Sequence, residues 1–420
     1  MTRRTAGRRP RASAAFRDPY GIGPVGGYIG PLLAIAGLVV VAIVTLNLFQ
    51  GQLPLASSAG NQNGTGNDPG DGPAATTAPS NVVVTPPDTS FLGSIVYAKA
   101  GNIWVQSGTD AKQLTDDGHD SMPAYSANGA WIYFIRVEVT AAKFPTEGNK
   151  ARSWYDLFTP VLMRMRADGS DVRRLLTGRY TQGNSTWFYW LRQPAPSPDN
   201  RTIALISDGP NPLQSDVIVQ TFTPTSKELK SLNLPESQNL GHQDPAWRPD
   251  GKVLLYVRNG REGTRGAPQI FRYDLATKKT RVLTGPGYLA PAWSPDGRWI
   301  AATRTDAFDT NIVILDSAGT EVLRVTTDGA SFSPVWSQAG DAIAFLHLTG
   351  TSVDLRMAKL DPSSGRWAVS ATVDLTQVSG LDGTSRPSWF VPADQRPASI
   401  PSPTGASAAP TAPASPSAAP

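Results

Sequence analysis

One phrase recurs from residue 123 onward and limits the architecture more than any other feature of the chain. At its clearest it reads Pro291-Ala292-Trp293-Ser294-Pro295-Asp296-Gly297, and Pro245-Ala246-Trp247-Arg248-Pro249-Asp250-Gly251 repeats it with one change. Pro334-Val335-Trp336-Ser337-Gln338-Ala339-Gly340, Pro123-Ala124-Tyr125-Ser126-Ala127-Asn128-Gly129 and Pro194-Ala195-Pro196-Ser197-Pro198-Asp199-Asn200 are worn copies, and Pro387-Ser388-Trp389 is a truncated sixth. Such periodicity means that one supersecondary unit is stacked several times, each unit burying a face against its neighbours.

Each phrase precedes a short run rich in Ile, Val and aromatics: residues 131–135, 203–206, 253–257, 299–303 and 342–346. Those are strand residues. Pro-Asp-Gly between phrase and run is turn chemistry: Pro pre-sets φ, Asp tolerates the bridge region and Gly accepts positive φ. We therefore read the repeated Asp as a turn residue, not a carboxylate site. A third strand is expected at 103–105, 161–165, 217–220, 270–273, 312–315 and 353–358. A fourth ends in Leu-Thr or Val-Thr, at Thr115, Thr177, Thr284, Thr326 and Thr376. Four antiparallel strands per unit read as propeller blades. Phrase-to-phrase steps of 71, 51, 46, 43 and 53 residues mean that some blades carry insertions. The region opens near Ser94 with strands but no phrase and closes near Trp389 with a phrase but no strands. The 387–391 strand is therefore expected to complete the first blade, closing a six-bladed ring without a free edge.

The phrase resembles the WD40-like Pro-x-Trp-Ser-Pro-Asp-Gly repeat of the TolB-like β-propellers, and the resemblance covers about residues 91–395. It implies an all-β, six-bladed propeller of four-stranded antiparallel blades, outside the cytoplasm and used for protein or ligand contact. The family's namesake has a partner-binding domain before its propeller, whereas only a linker occupies that place here. A role in the Tol system is therefore not expected.

Residues 1–27 carry six Arg against Asp18, and 28–49 then run without a charge. That length spans a bilayer core of ~30 Å as a helix. Positive charge before it places the N-terminus in the cytoplasm and the rest outside. A cleaved signal peptide is the rival, with Ala56-Ser57-Ser58 as small residues for cleavage. The expectation is a single-pass anchor followed by a flexible linker at 50–90 and a disordered Pro/Ala/Ser tail at 396–420. Removing residues 1–50 leaves 32 basic and 33 acidic residues, so the exterior part is neutral and a nucleic-acid partner has no electrostatic support. The chain has no cysteine, which excludes disulfides, a thiol nucleophile and a lipid on cysteine.

Two insertions are expected on one face of the ring, where function is usually grafted. The first, 137–158, is read as a loop holding Lys143, Lys150, Arg152, Trp154 and Tyr155. The second, 178–193, holds Trp187-Phe188-Tyr189-Trp190. Aromatics in a loop stack on sugar or peptide, or pack down to replace the ring missing at Pro196. Trp187, Tyr189, Trp190, Arg152 and Trp154 are the candidate contact residues. His119 and His242 precede Pro123 and Pro245 by four and three residues, with Asp120 and Asp244 beside them. They are read as an equivalent pair that either faces the central channel as ligand groups or bonds to neighbouring blades. No Gly-x-Ser-x-Gly or His-Glu-x-x-His motif occurs, and the chain has three histidines. No enzyme activity, cofactor or metal is expected. The leading expectation is a tethered module binding an envelope protein or peptide. The alternatives are a cell-wall or carbohydrate-binding module, and an enzyme with a metal in the channel.

Overall fold

The computed structural model describes residues 82–143, 154–182, 185–209, 217–232, 234, 241–258 and 267–403. Six four-stranded antiparallel sheets are arranged in chain order, and one two-stranded hairpin is added. The inner strands are Asp120–Tyr125, Arg192–Pro196, His242–Trp247, Tyr288–Trp293, Ser331–Trp336 and Ser388–Phe390, so every phrase forms one. The last of these pairs with Ser94–Lys99, Trp389 lying opposite Ile95, and completes the first blade as expected. Six clusters of buried residues form the core, each made by two adjacent blades. One of them joins the first blade to the last, so the ring closes through packing as well as through strand pairing.

The repeated motifs have defined local roles. In the clearest phrase, the Ser294 hydroxyl donates to the Asp296 carboxylate and accepts from Trp299 N–H, and Gly297 N–H donates to Ser294 O. The Asp is thus spent inside its turn. The Thr of four of the five Leu-Thr or Val-Thr pairs extends the ladder: Oγ1 of Thr115, Thr284, Thr326 and Thr376 accepts the N–H of Ile103, Ile270, Ile312 and Leu355, whereas Thr177 Oγ1 accepts from Arg179 N–H.

Both ends of the described chain lie against the ring. Val84 exchanges hydrogen bonds with Ser379 and Gln377, and Val83 packs on the cluster between the first and last blades. The expected linker therefore gives way to packed chain before residue 90. Beyond the closing strand, Gln395 accepts from Gly93 N–H, Ile400 touches the turn at Gly340, and Ser402 accepts from the Trp299 indole. The segment expected to be disordered from 396 thus makes defined contacts through Ser402, because Trp299 and the turn glycine leave a ledge for it. Among the described residues no helix is long and apolar enough to cross a membrane. The segment 28–49 lies outside them.

Candidate functional site

The end of the ring where second strands turn into third strands is its upper end. The first insertion is not a loop there. Trp131–Lys143 and Trp154–Arg166 pair without a break from Trp131↔Arg166 to Lys143↔Trp154. The inner and outer strands of that blade stop pairing at Asp120↔Arg136 and Val161↔Thr177, so a two-stranded ribbon continues above the ring. The alternation of Val137 and Val139 with polar residues is strand periodicity, which explains the correction. One side of the ribbon is covered, with Ala142 and Leu157 buried. The other side presents Val139, Phe158 and Trp154, the last 67% exposed.

The second insertion is also a β-hairpin, Arg179–Gln182 against Ser185–Phe188. It packs on the ribbon: the Tyr155 hydroxyl donates to Thr186 O at 3.1 Å, and Arg179 reaches Thr140 Oγ1 at 3.3 Å. The two insertions therefore form one platform over the second and third blades. Its aromatic run divides. Trp187 and Phe188 are half-buried, Trp190 is 45% exposed with its ring edge-on to Phe188, and Tyr189 is buried. Tyr189 donates its hydroxyl to Thr177 O at 2.8 Å, and burial pushes its pKa up. It packs at the opposite end of the inner strand from Pro196, so it is neither a surface contact nor a substitute for the missing ring. Arg152 lies outside the described residues.

The two histidines are not an equivalent pair. His242 is the first residue of its inner strand, opposite Arg258, and its counterpart is Asp120, opposite Arg136. His119 is exposed beside Asp117, which holds it through its carbonyl at 3.1 Å. His242 is buried against Tyr256, and its Nδ1 accepts from Val219 N–H at 3.2 Å. In four of the other blades a ladder threonine accepts the corresponding N–H, but the outer strand here is Glu228–Ser231 and no Thr follows it. His242 therefore substitutes for a structural threonine. Among the described residues no cluster of His, Asp and Glu is arranged to hold a metal.

Ser331, His347 and Asp328 do meet, at the top of the last blade. Ser331 Oγ lies 3.2 Å from His347 Nδ1 and donates to Asp328 Oδ1 at 2.9 Å, and Asp328 Oδ2 lies 3.3 Å from the same Nδ1. A nucleophile relay needs the serine and the carboxylate on opposite ring nitrogens. Here both crowd one nitrogen and Ser331 is fully buried, so the trio is a structural brace.

The central bore is a cavity of about 480 Å³ lined by all six inner strands. Near its upper end Asp244 is the hub. Its backbone N–H and carboxylate each bond the Gln193 amide at 2.9 Å, Oδ2 accepts from Ala290 N–H at 3.0 Å, and Oδ1 lies 3.4 Å from the Arg386 guanidinium. Arg386 also donates to Pro291 O at 3.0 Å. Near the lower end Arg396 lines the cavity, donating to Val391 O and to the Gln338 side chain.

No family model matches the chain. An uncharacterized protein of Agrobacterium fabrum is 29% identical over 161 residues, which are 37% of this chain and 45% of that one, so the chain spans less than half of that relative's length. Among solved structures, TolB from Acinetobacter baumannii superimposes with a TM-score of 0.50 at 17% identity, over 73% of this chain and 68% of its own. A TolB-like protein of Agrobacterium tumefaciens, at 17% identity, covers 71% of this chain and 93% of its own with a TM-score of 0.46. The fold is that of the TolB-like six-bladed β-propellers.

In this TolB-like ring, sequence reasoning missed the residue before five of the six phrase prolines. Met122, Gln193, Asp244, Ala290 and Ser333 all have positive φ at a bulge in the inner strand. Four of their N–H groups donate to an oxygen of the preceding blade: Met122 to Ser385, Asp244 to Gln193, Ala290 to Asp244 and Ser333 to Thr303. The only sequence signal is position, because the residue types share nothing. Also missed were Phe308, Leu348 and Val378, exposed apolar residues at the upper end of the TolB-like ring, Leu348 at a strand end and the other two in loops.

Proposed function

We propose that the chain is a membrane-tethered, extracytoplasmic binding propeller that engages an envelope protein or peptide through its upper end, without catalysis of its own. The observation that carries this reading is the platform. Two separate insertions join over neighbouring blades and leave Val139, Phe158 and Trp154 exposed on a ribbon that the ring does not need for closure, with Trp190 exposed beside the second hairpin. Exposed apolar surface on a rigid support marks contact sites, and the apolar residues Phe308, Leu348 and Val378 stand at the same end. The likeness to TolB supports a propeller scaffold and carries no partner with it. The tether rests on the uncharged 28–49 segment and the basic residues before it.

The test is crosslinking in intact cells followed by mass spectrometry. The full chain is compared with a variant in which residues 140–157 are replaced by Asn-Gly, which closes the Val139↔Phe158 pair as a short hairpin. A partner captured only by the full chain supports the reading, and an unchanged partner set overturns it. Trp190, set edge-on to Phe188, favours one second reading, a glycan-binding platform. Unchanged cell-wall glycan retention after Trp187→Ala with Trp190→Ala removes that reading.

A further inference from the structure

The charges inside the bore do not balance. Asp244, Arg386 and Arg396 line the cavity, two cations against one carboxylate. Asp244 is already bonded to Gln193 and Ala290 and meets Arg386 at the long distance of 3.4 Å. Among the described residues Arg396 has no carboxylate partner: it donates to an amide oxygen and a backbone carbonyl and lies over the Phe390 ring. Charge confined in a low-dielectric cleft acts far more strongly than on an open surface.

We propose that the bore is an anion site that takes a carboxylate-bearing peptide segment entering from the upper end, with Arg386 and Arg396 as its two anchors. The cavity falls within the ~300–1,000 Å³ usual for ligand sites. Arg386 stands level with the inner-strand bulges, and Arg396 stands near the phrase turns three residues further down. The strand rise therefore separates them by roughly 10 Å. That is the reach of an extended peptide between acids three residues apart. Guanidinium groups pair with carboxylates by charge and by matched donor geometry. The lower anchor comes from the segment that continues past ring closure, which gives that segment a role beyond covering the turns. The proposal rests on the binding reading above and adds a ligand chemistry to it.

The test uses the full chain and three probes in calorimetric titrations. They are an acetylated, amidated Asp-Gly-Gly-Asp peptide, its Asn-Gly-Gly-Asn counterpart and a uronic-acid oligosaccharide. The acidic peptide is expected to bind at least tenfold more tightly than the Asn peptide. Arg396→Gln, which leaves no acid unpaired, is expected to abolish that preference without moving the melting temperature, and Arg386→Gln to abolish it as well. Equal binding of the two peptides, no binding of the acidic peptide at millimolar concentration, or a preference that survives both substitutions overturns the proposal. Binding of the oligosaccharide alone overturns the peptide class. If the probes fail while ribbon-dependent crosslinking in cells persists, the anion site falls and the binding propeller stands.

Discussion

Asp244→Ala tests whether the bulge bonds hold the ring together. The substitution removes the acceptor for Ala290 N–H at 3.0 Å and for the Gln193 amide at 2.9 Å, along with the Arg386 contact at 3.4 Å. Ala290 is 2% exposed, so its N–H cannot turn to water. A hydrogen bond to a charged acceptor contributes about 1.5–3 kcal/mol, and stranding a buried donor costs a similar amount. The Gln193 amide faces the bore and can be rehydrated, so its loss adds little. The expected destabilisation is about 3 kcal/mol, or about 6 °C in melting temperature, taking the shift of about 2 °C per kcal/mol that suits a large domain. The assay is urea and thermal unfolding followed by circular dichroism, run as a cycle with Gln193→Ala. Gln193 Oε1 also accepts from Asp244 N–H, so the two substitutions should be non-additive by about 1 kcal/mol. A loss under about 1 kcal/mol for Asp244→Ala, or strict additivity, would show that the ring is held by packing alone.

Three further outcomes are expected. Trp389→Ala removes a buried ring on the closing strand, its edge-to-face contact with Phe91 and its bond to Leu92 O; equilibrium unfolding should show a loss of about 3–5 kcal/mol. His242→Phe keeps the ring against Tyr256 but strands Val219 N–H, and the same assay should show a cost of about 1–3 kcal/mol. Burial, then the nearby Arg356, holds the His347 pKa below its ordinary value. As pH falls below about 6.5 the unfolded chain therefore takes up the proton first. The stability present at neutral pH should decline until pH passes the depressed folded value, and His347→Gln should flatten that slope in unfolding curves taken across the acid range.

The repeat alone was enough for the ring. Pro-x-Trp names the inner strand, Ser-Pro-Asp-Gly the turn after it and Leu-Thr the end of the outer strand, because each of these depends on contacts within a few residues or within one blade. Ring closure was legible too, since the strands around Ser94 lacked the phrase that Pro387-Ser388-Trp389 supplied. The platform was visible only as excess length. Whether 137–158 looped or paired depended on a cross-strand register that runs from Val139↔Phe158 to Lys143↔Trp154, and the two insertions met only because adjacent blades bring their upper ends together. His242 and His119 looked alike in spacing, yet one residue of register buried the first as an acceptor for Val219 and left the second beside Asp117. The bore belongs wholly to the tertiary structure. Gln193, Asp244, Arg386 and Arg396 come from separate parts of the chain, and closure of six blades around one axis converts them into a single charged cavity. Local sequence chemistry thus determined what each blade is, and the packing of blades on one another decided which side chains share a site.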